Sequence, residues 1–285
     1  MLTLPLHASR VLCPASNCYP RRMPYAPLGD MQLYYELHGP KPGEAPALVF
    51  AHGIGGNHLS WWQQVPHFRK QFTCVTFDHR GFGLSHEAAG GPGSGAFTDD
   101  LRALLDHLGI DRVSLVAQSM GGWTCLRFAV RYPARVEKLV MCDSHGGLRT
   151  PEIDAAMKDA GLDPKVDANA HPAAGARMVE EQPQLLFLFS EISACNPPRT
   201  LAEMNAVMRA AGTLSPGDLA SLSMPVLFLA GDEDIVIPPR VLELAMQHIP
   251  GARMEIVPRA GHSVYFERAD TFNAIVGSFL RARIP

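Results

Sequence analysis

Ser119, Asp234 and His262 are the residues of this 285-residue chain whose types and placement suit nucleophilic catalysis. A serine hydroxyl is a poor nucleophile at neutral pH. It needs a base within hydrogen-bond reach, and the base needs a carboxylate that fixes its tautomer and stabilises its charged form. Each of the three stands just beyond a short apolar run that reads as a strand, so a parallel sheet can bring them to one edge. A further chemical feature follows the run Ala47 to Ala51, where His52-Gly53-Ile54-Gly55-Gly56 lets the backbone fold close to a ligand with N–H groups facing it.

The element that must present the serine is Arg112 to Trp123. Arg112 to Val116 is short, β-branched and aliphatic, as expected of a buried strand. From Met120 onward Trp123, Leu126 and Val130 recur at helical spacing. Between strand and helix stand Ser119 and the small residues Ala117, Gly121 and Gly122. A sharp strand-to-helix turn forces close backbone approach and pushes the turn residue's side chain out above the sheet. The pattern G-x-S-x-G describes such a turn, and here it is A-Q-S-M-G, with a methyl at the first position.

Strand-like runs recur at Met31 to Leu37, Ala47 to Ala51, Thr73 to Phe77, Val136 to Met141, Pro225 to Leu229 and Arg253 to Val257, with helical patterns between most of them. Thr98 is placed to cap a helix bearing Leu101, Leu104, Leu105 and Leu108 on one face, with Gly109 ending it. The alternation predicts an α/β fold with a mostly parallel, doubly wound sheet and ligands at the carboxyl ends of its strands. It stops between residues 145 and 220. Methionines and phenylalanines there, with prolines and helix formers, predict a helical insertion closing over the sheet. Trp61, Phe187 and Phe189 are candidates to line an apolar substrate pocket. Residues 25–144 and 221–285 are then the core, 145–220 a helical cap, and 1–24 an extension expected to be poorly ordered.

Composition narrows the partners. A net charge of −3 with no basic patch argues against nucleic acid. No apolar run reaches the roughly 18 residues of a membrane span. The 12 histidines show no metal-ligand spacing. The six cysteines form no C-x-x-C pair, and three lie in expected core elements. Buried free thiols suit a reducing compartment, so a cytoplasmic location is expected, as a monomer or homodimer.

Five motifs together carry a resemblance: H-G-I-G-G at 52–56, D-H-R-G-F-G-L-S at 78–85, A-Q-S-M-G-G at 117–122, G-D-E-D-I-V-I-P at 231–238 and A-G-H-S at 260–263. Over residues 25 to 283 the chain resembles the α/β-hydrolase family, in its branch of serine esterases with a helical cap, which shares the order Ser…Asp…His. The resemblance implies Ser119 as nucleophile, His262 as general base and then acid, and Asp234 as the orienting carboxylate. Asp232 and Asp143 are its alternatives for the acid. It implies the backbone N–H groups of Ile54 and Met120 as an oxyanion hole, with His52 bracing the loop. A serine rather than an aspartate at residue 119 sets aside dehalogenases and epoxide hydrolases of this fold. The expected activity is hydrolysis of a small-molecule carboxylic ester, with no metal or organic cofactor. Lactone opening, C–C cleavage and perhydrolase chemistry share the same machinery, and a non-catalytic binding member of the fold is the alternative of a different class. For C–C cleavage, Arg177 and Arg199 are available to meet a substrate carboxylate.

Overall fold

The computed structural model describes residues 24–29, 31–159 and 173–282. The expected extension at 1–24 lies almost wholly outside them. Among these described residues eight strands form one sheet: β1 (Tyr25–Leu28), β2 (Met31–His38), β3 (Ala47–Ala51), β4 (Thr73–Phe77), β5 (Val113–Gln118), β6 (Val136–Cys142), β7 (Val226–Gly231) and β8 (Arg253–Val257). Their spatial order is β1-β2-β4-β3-β5-β6-β7-β8. The β1–β2 and β2–β4 pairs are antiparallel and the rest are parallel.

Parallel strands covered on both faces read as unbroken apolar runs, and β3, β4, β5 and β7 are buried along their whole length. The period of two then sends alternate side chains to opposite faces. Val49, Val75, Leu115, Met141 and Phe228 enter one core with Leu101, Leu104, Phe128 and Leu242. Leu48, Phe50, Cys74, Val116, Val140 and Leu229 enter the other with Phe68, Phe272 and Val276.

The helices are α1 (Gln64–Phe68), α2 (Phe97–His107), α3 (Met120–Arg131), α4 (Pro151–Asp159), α5 (Ala176–Glu181), α6 (Pro183–Ala194), α7 (Leu201–Ala210), α8 (Pro239–Met246), α9 (Val264–Glu267) and α10 (Ala269–Arg281). One sequence expectation needs correction. Thr98 caps nothing: α2 starts at Phe97, preceded by an Ala96 already in helical conformation, because the 3₁₀ turn Gly93–Ala96 runs straight into the helix. β1 is a strand the sequence did not announce. It is short, carries Pro27 and sits at the sheet edge, where a missing N–H is tolerated.

Among the described residues between β6 and β7 lie four α-helices, α4 to α7. They are tied to the loops beyond β3 and β4. Asn57 donates its side-chain amide to the Ile192 carbonyl at 2.7 Å, and Asn196 donates to the Gly55 carbonyl at 3.1 Å. The Gly83 N–H donates back to Asn196 Oδ1 at 2.9 Å.

Candidate active site

Ser119 joins β5 to α3 with φ 48° and ψ −117°. A non-glycine residue in that region costs roughly 1–3 kcal/mol and persists only where its surroundings hold it. They do so from both sides. Its N–H donates to the Cys142 carbonyl at 3.0 Å, and its own carbonyl accepts from the Gly122 N–H at 2.8 Å and from Ser144 Oγ at 2.7 Å. The small residues have a steric reason: a Cβ on Gly121 would stand 2.2 Å from the Ala51 carbonyl oxygen. Ala117 pairs with Ala51 and Met141 inside the buried strand, where its methyl fits.

His262 Nε2 lies 2.9 Å from Ser119 Oγ, and His262 Nδ1 lies 2.8 Å from Asp234 Oδ2. The histidine and the aspartate are buried, while the serine is only partly so. The other oxygen of Asp234 accepts the N–H groups of Val236 and Ile237 at 2.8 and 3.0 Å, which fixes the carboxylate's plane. Burial alone would lower the basicity of His262. The charge and hydrogen bond of Asp234, with Asp143 and Glu267 behind, outweigh it and hold the imidazole above its ordinary pKa.

The two other candidate carboxylates are engaged elsewhere. Asp143 follows β6, fully buried, and accepts the N–H groups of Gly231 and Val264 at 3.2 and 3.3 Å. Burial, then the neighbouring charge of Asp234, pushes its carboxyl well above the usual range. Asp232 faces the Ala260 N–H.

The glycine loop after β3 reaches the serine. A Cβ on Gly53 would stand 3.2 Å from Ser119 Cβ. His52 braces this loop: its Nδ1 lies 2.7 Å from the Gly53 carbonyl oxygen, and its Nε2 accepts from the His79 N–H at 2.9 Å. Burial brings His52 down to a pKa of about 4, so it stays neutral. Met120 is the first residue of α3, and the first N–H groups of a helix have no partner within it. Among the described residues the Ile54 N–H makes no backbone hydrogen bond either. Ile54 packs on a small cluster of Phe82, Phe97 and Met120, joined by Val207 and Met208 of α7.

The proposed pocket residues part ways. Trp61 is wholly buried, its ring 5.0 Å from Phe50 and 4.7 Å from Tyr265. Phe189 is buried with its ring edge-on to Phe266 at 5.1 Å. Phe187, by contrast, is 66% exposed. The helical turn that brings Phe189 and Ile192 inward carries Phe187 out, so its place as a pocket wall is corrected. Arg177 is paired with Glu181 and Glu233. Arg199 lies over the Phe82 ring at 4.2 Å and donates to the Gly81 carbonyl.

Gln118 is a residue at the site that escaped sequence reasoning. Gln118 donates its amide to the His262 carbonyl at 2.9 Å. It occupies a variable position of the turn motif, and no spacing rule singles it out.

The model of the α/β hydrolase fold matches residues 46–213, more than half of the chain. The chain belongs to the α/β-hydrolase fold family. Among similar proteins, a putative carbamate hydrolase RutD of Caulobacter sp. (strain K31) is 29% identical over 87% of this chain and 95% of its own length. The 3-oxoadipate enol-lactonase 2 of Acinetobacter baylyi is 26% identical over 88% and 94%. A thermophilic esterase from Thermogutta terrifontis superposes with a TM-score of 0.72 at 26% identity, covering 88% of this chain and 93% of that one. As an α/β hydrolase, the chain carries Ser119, Asp234 and His262 beyond β5, β7 and β8, the strand ends where ligands of this architecture sit.

Proposed function

We propose that this α/β hydrolase is a carboxylic ester hydrolase working through an acyl-enzyme on Ser119. The observation that carries the reading is the unbroken relay from Ser119 Oγ through the His262 ring to Asp234, at 2.9 and 2.8 Å. His262 Nε2 takes the hydroxyl proton as Oγ adds to the ester carbonyl carbon. The resulting oxyanion accepts the N–H groups of Ile54 and Met120, preorganised by the braced glycine loop and the start of α3. On collapse, His262 gives its proton to the departing alcohol, leaving the acyl group on Ser119. A water then gives a proton to His262 as its oxygen adds to the acyl carbon. The second collapse releases the carboxylic acid and returns the proton to Ser119. Asp234 keeps the Nδ1 proton in place and stabilises the imidazolium without being protonated itself.

In this reading residues 25–144 and 221–285 form the catalytic core, and residues 145–220 act as a cap that selects the acyl group. Their contacts with the Ile54 cluster through Val207 and Met208 support that role. Nothing in these steps calls on a metal or an organic cofactor. Cys74, Cys125 and Cys142 as buried free thiols favour a reducing, cytoplasmic setting.

The enol-lactonase and carbamate hydrolase names among the relatives favour a second reading, since a lactone is a cyclic ester and a carbamate carbonyl accepts the same attack. A panel of p-nitrophenyl esters of increasing chain length, a lactone, a thioester and a carbamate separates them. Ester turnover with the highest kcat/KM supports the proposal. A lactone or carbamate preferred by more than tenfold transfers it to that bond, and no turnover of any member favours a binding protein.

A further inference from the structure

Glu267, on the short helix α9, is 3% exposed, and among the described residues its carboxylate accepts hydrogen bonds from backbone N–H groups. Oε2 accepts the Gly261 N–H at 2.9 Å, while Oε1 accepts the Ser263 N–H at 3.2 Å and the Gly175 N–H at 3.1 Å. Gly261 and Ser263 are the two neighbours of His262 in the chain. Gly175 lies far away in sequence, at the entry to α5. The contact there is backbone against backbone. A Cβ on Gly175 would stand 2.4 Å from Glu267 Oε2 and 2.8 Å from the Gly261 nitrogen. A Cβ on Gly261 would stand 2.5 Å from Gly175 Cα. Close by, Ser263 Oγ donates to the Ala173 carbonyl at 2.7 Å.

We propose that Glu267 is a positioning residue, whose carboxylate clamps the loop presenting His262 and pins that loop to residue 175 of the helical insertion. The proposal rests on His262 being the base. Burial pushes the Glu267 carboxyl above its ordinary pKa, and three N–H donors oppose that shift by binding the ionised form. Fixing the residues on both sides of His262 sets the height and direction of its ring relative to Ser119 Oγ. A displacement of about 1 Å at such a site costs on the order of 10²-fold in rate. The same clamp couples the insertion to the base, so a shift of the insertion is felt at the histidine. The titratable acids facing His262 are Asp234 after β7, Asp143 after β6 and Glu267 on α9, while Arg268 is the cation beside Glu267.

The test is Glu267→Gln with a short p-nitrophenyl ester. The amide has the shape of the carboxyl group, but its NH₂ must face at least one backbone N–H and carries no charge. The expected result is kcat lowered about 10- to 100-fold with KM within about threefold, and the acid limb of kcat/KM moved to lower pH because one anion facing His262 is gone. A lowered melting temperature with wild-type kcat and acid limb would make Glu267 merely structural and overturn the proposal. Gly175→Ala is the companion variant and decides alone if Glu267→Gln fails to fold. It displaces the clamp without removing its charge, so kcat should fall while the acid limb stays in place, and an unchanged kcat overturns the proposal. Ser119→Ala is run beside them. Turnover surviving in that variant refutes the parent reading, whereas its loss beside an unaffected Glu267→Gln refutes the clamp alone.

Discussion

Gly53 lies directly against Ser119: a Cβ at residue 53 would stand 3.2 Å from the serine Cβ and 2.0 Å from Gln118 Oε1. A methyl there moves either the loop that carries Ile54 or the glutamine that holds the His262 carbonyl. Gly53→Ala is therefore expected to lower kcat/KM about 10²-fold through misplacement. Overpacking should also cost about 1–3 kcal/mol of stability. Steady-state kinetics and thermal unfolding check both.

Asp234 and Asp143 stand at the ends of neighbouring strands, but only Asp234 meets the imidazole. Asp234→Asn should lower kcat by about 10³- to 10⁴-fold through loss of the correct tautomer. Asp143→Asn should cost far less, because that carboxyl serves the N–H groups of Gly231 and Val264. A reversed order of severity in parallel kcat measurements would move the acid to the end of β6.

The acid limb of kcat/KM should lie above the ordinary histidine value of 6.5, the direction in which Asp234 moves His262. The base must be neutral to take the serine proton, so activity is lost as pH falls through that raised pKa. Stability runs the other way. The contribution of His262 is fully present below its unfolded pKa and is lost as pH rises through the folded one. A pH–rate profile from 4 to 9 checks the limb, and a limb near 4 would match His52 instead.

Phe189 and Phe187 sit two residues apart on α6 in opposite settings. Phe189→Ala should cost about 3 kcal/mol, as for a buried aromatic. It should also shift the preference among esters of different chain length while leaving acetate turnover little changed. Phe187→Ala should change stability by no more than about 0.5 kcal/mol. Denaturant melts and a chain-length series measure the two effects. Equal losses for short and long esters in Phe189→Ala would assign that ring to packing alone.

The sheet was legible because buried parallel strands are written as local apolar runs, and β3, β4 and β8 fall at the residues expected of them. The nearness of Ser119, Asp234 and His262 was legible for a related reason, since each lies a short way past a strand end and the sheet brings strand ends together. The strain at Ser119 was implied by its small neighbours. What stayed hidden depends on contacts remote in sequence. Glu267 meets Gly175 across 92 positions, and Gln118 meets His262 across 144. Phe187 and Phe189 differ only in helical phase, which an apolar run such as Leu185 to Phe189 does not disclose.

The proposed role of Ser119 as nucleophile is read most plainly from kcat/KM of Ser119→Ala on the p-nitrophenyl ester that the wild type turns over best. Removing a member of such a relay normally costs several orders of magnitude. Ser119→Ala should run below about one per cent of the wild-type rate with an unchanged melting curve. A folded Ser119→Ala that keeps more than that would place the nucleophile elsewhere.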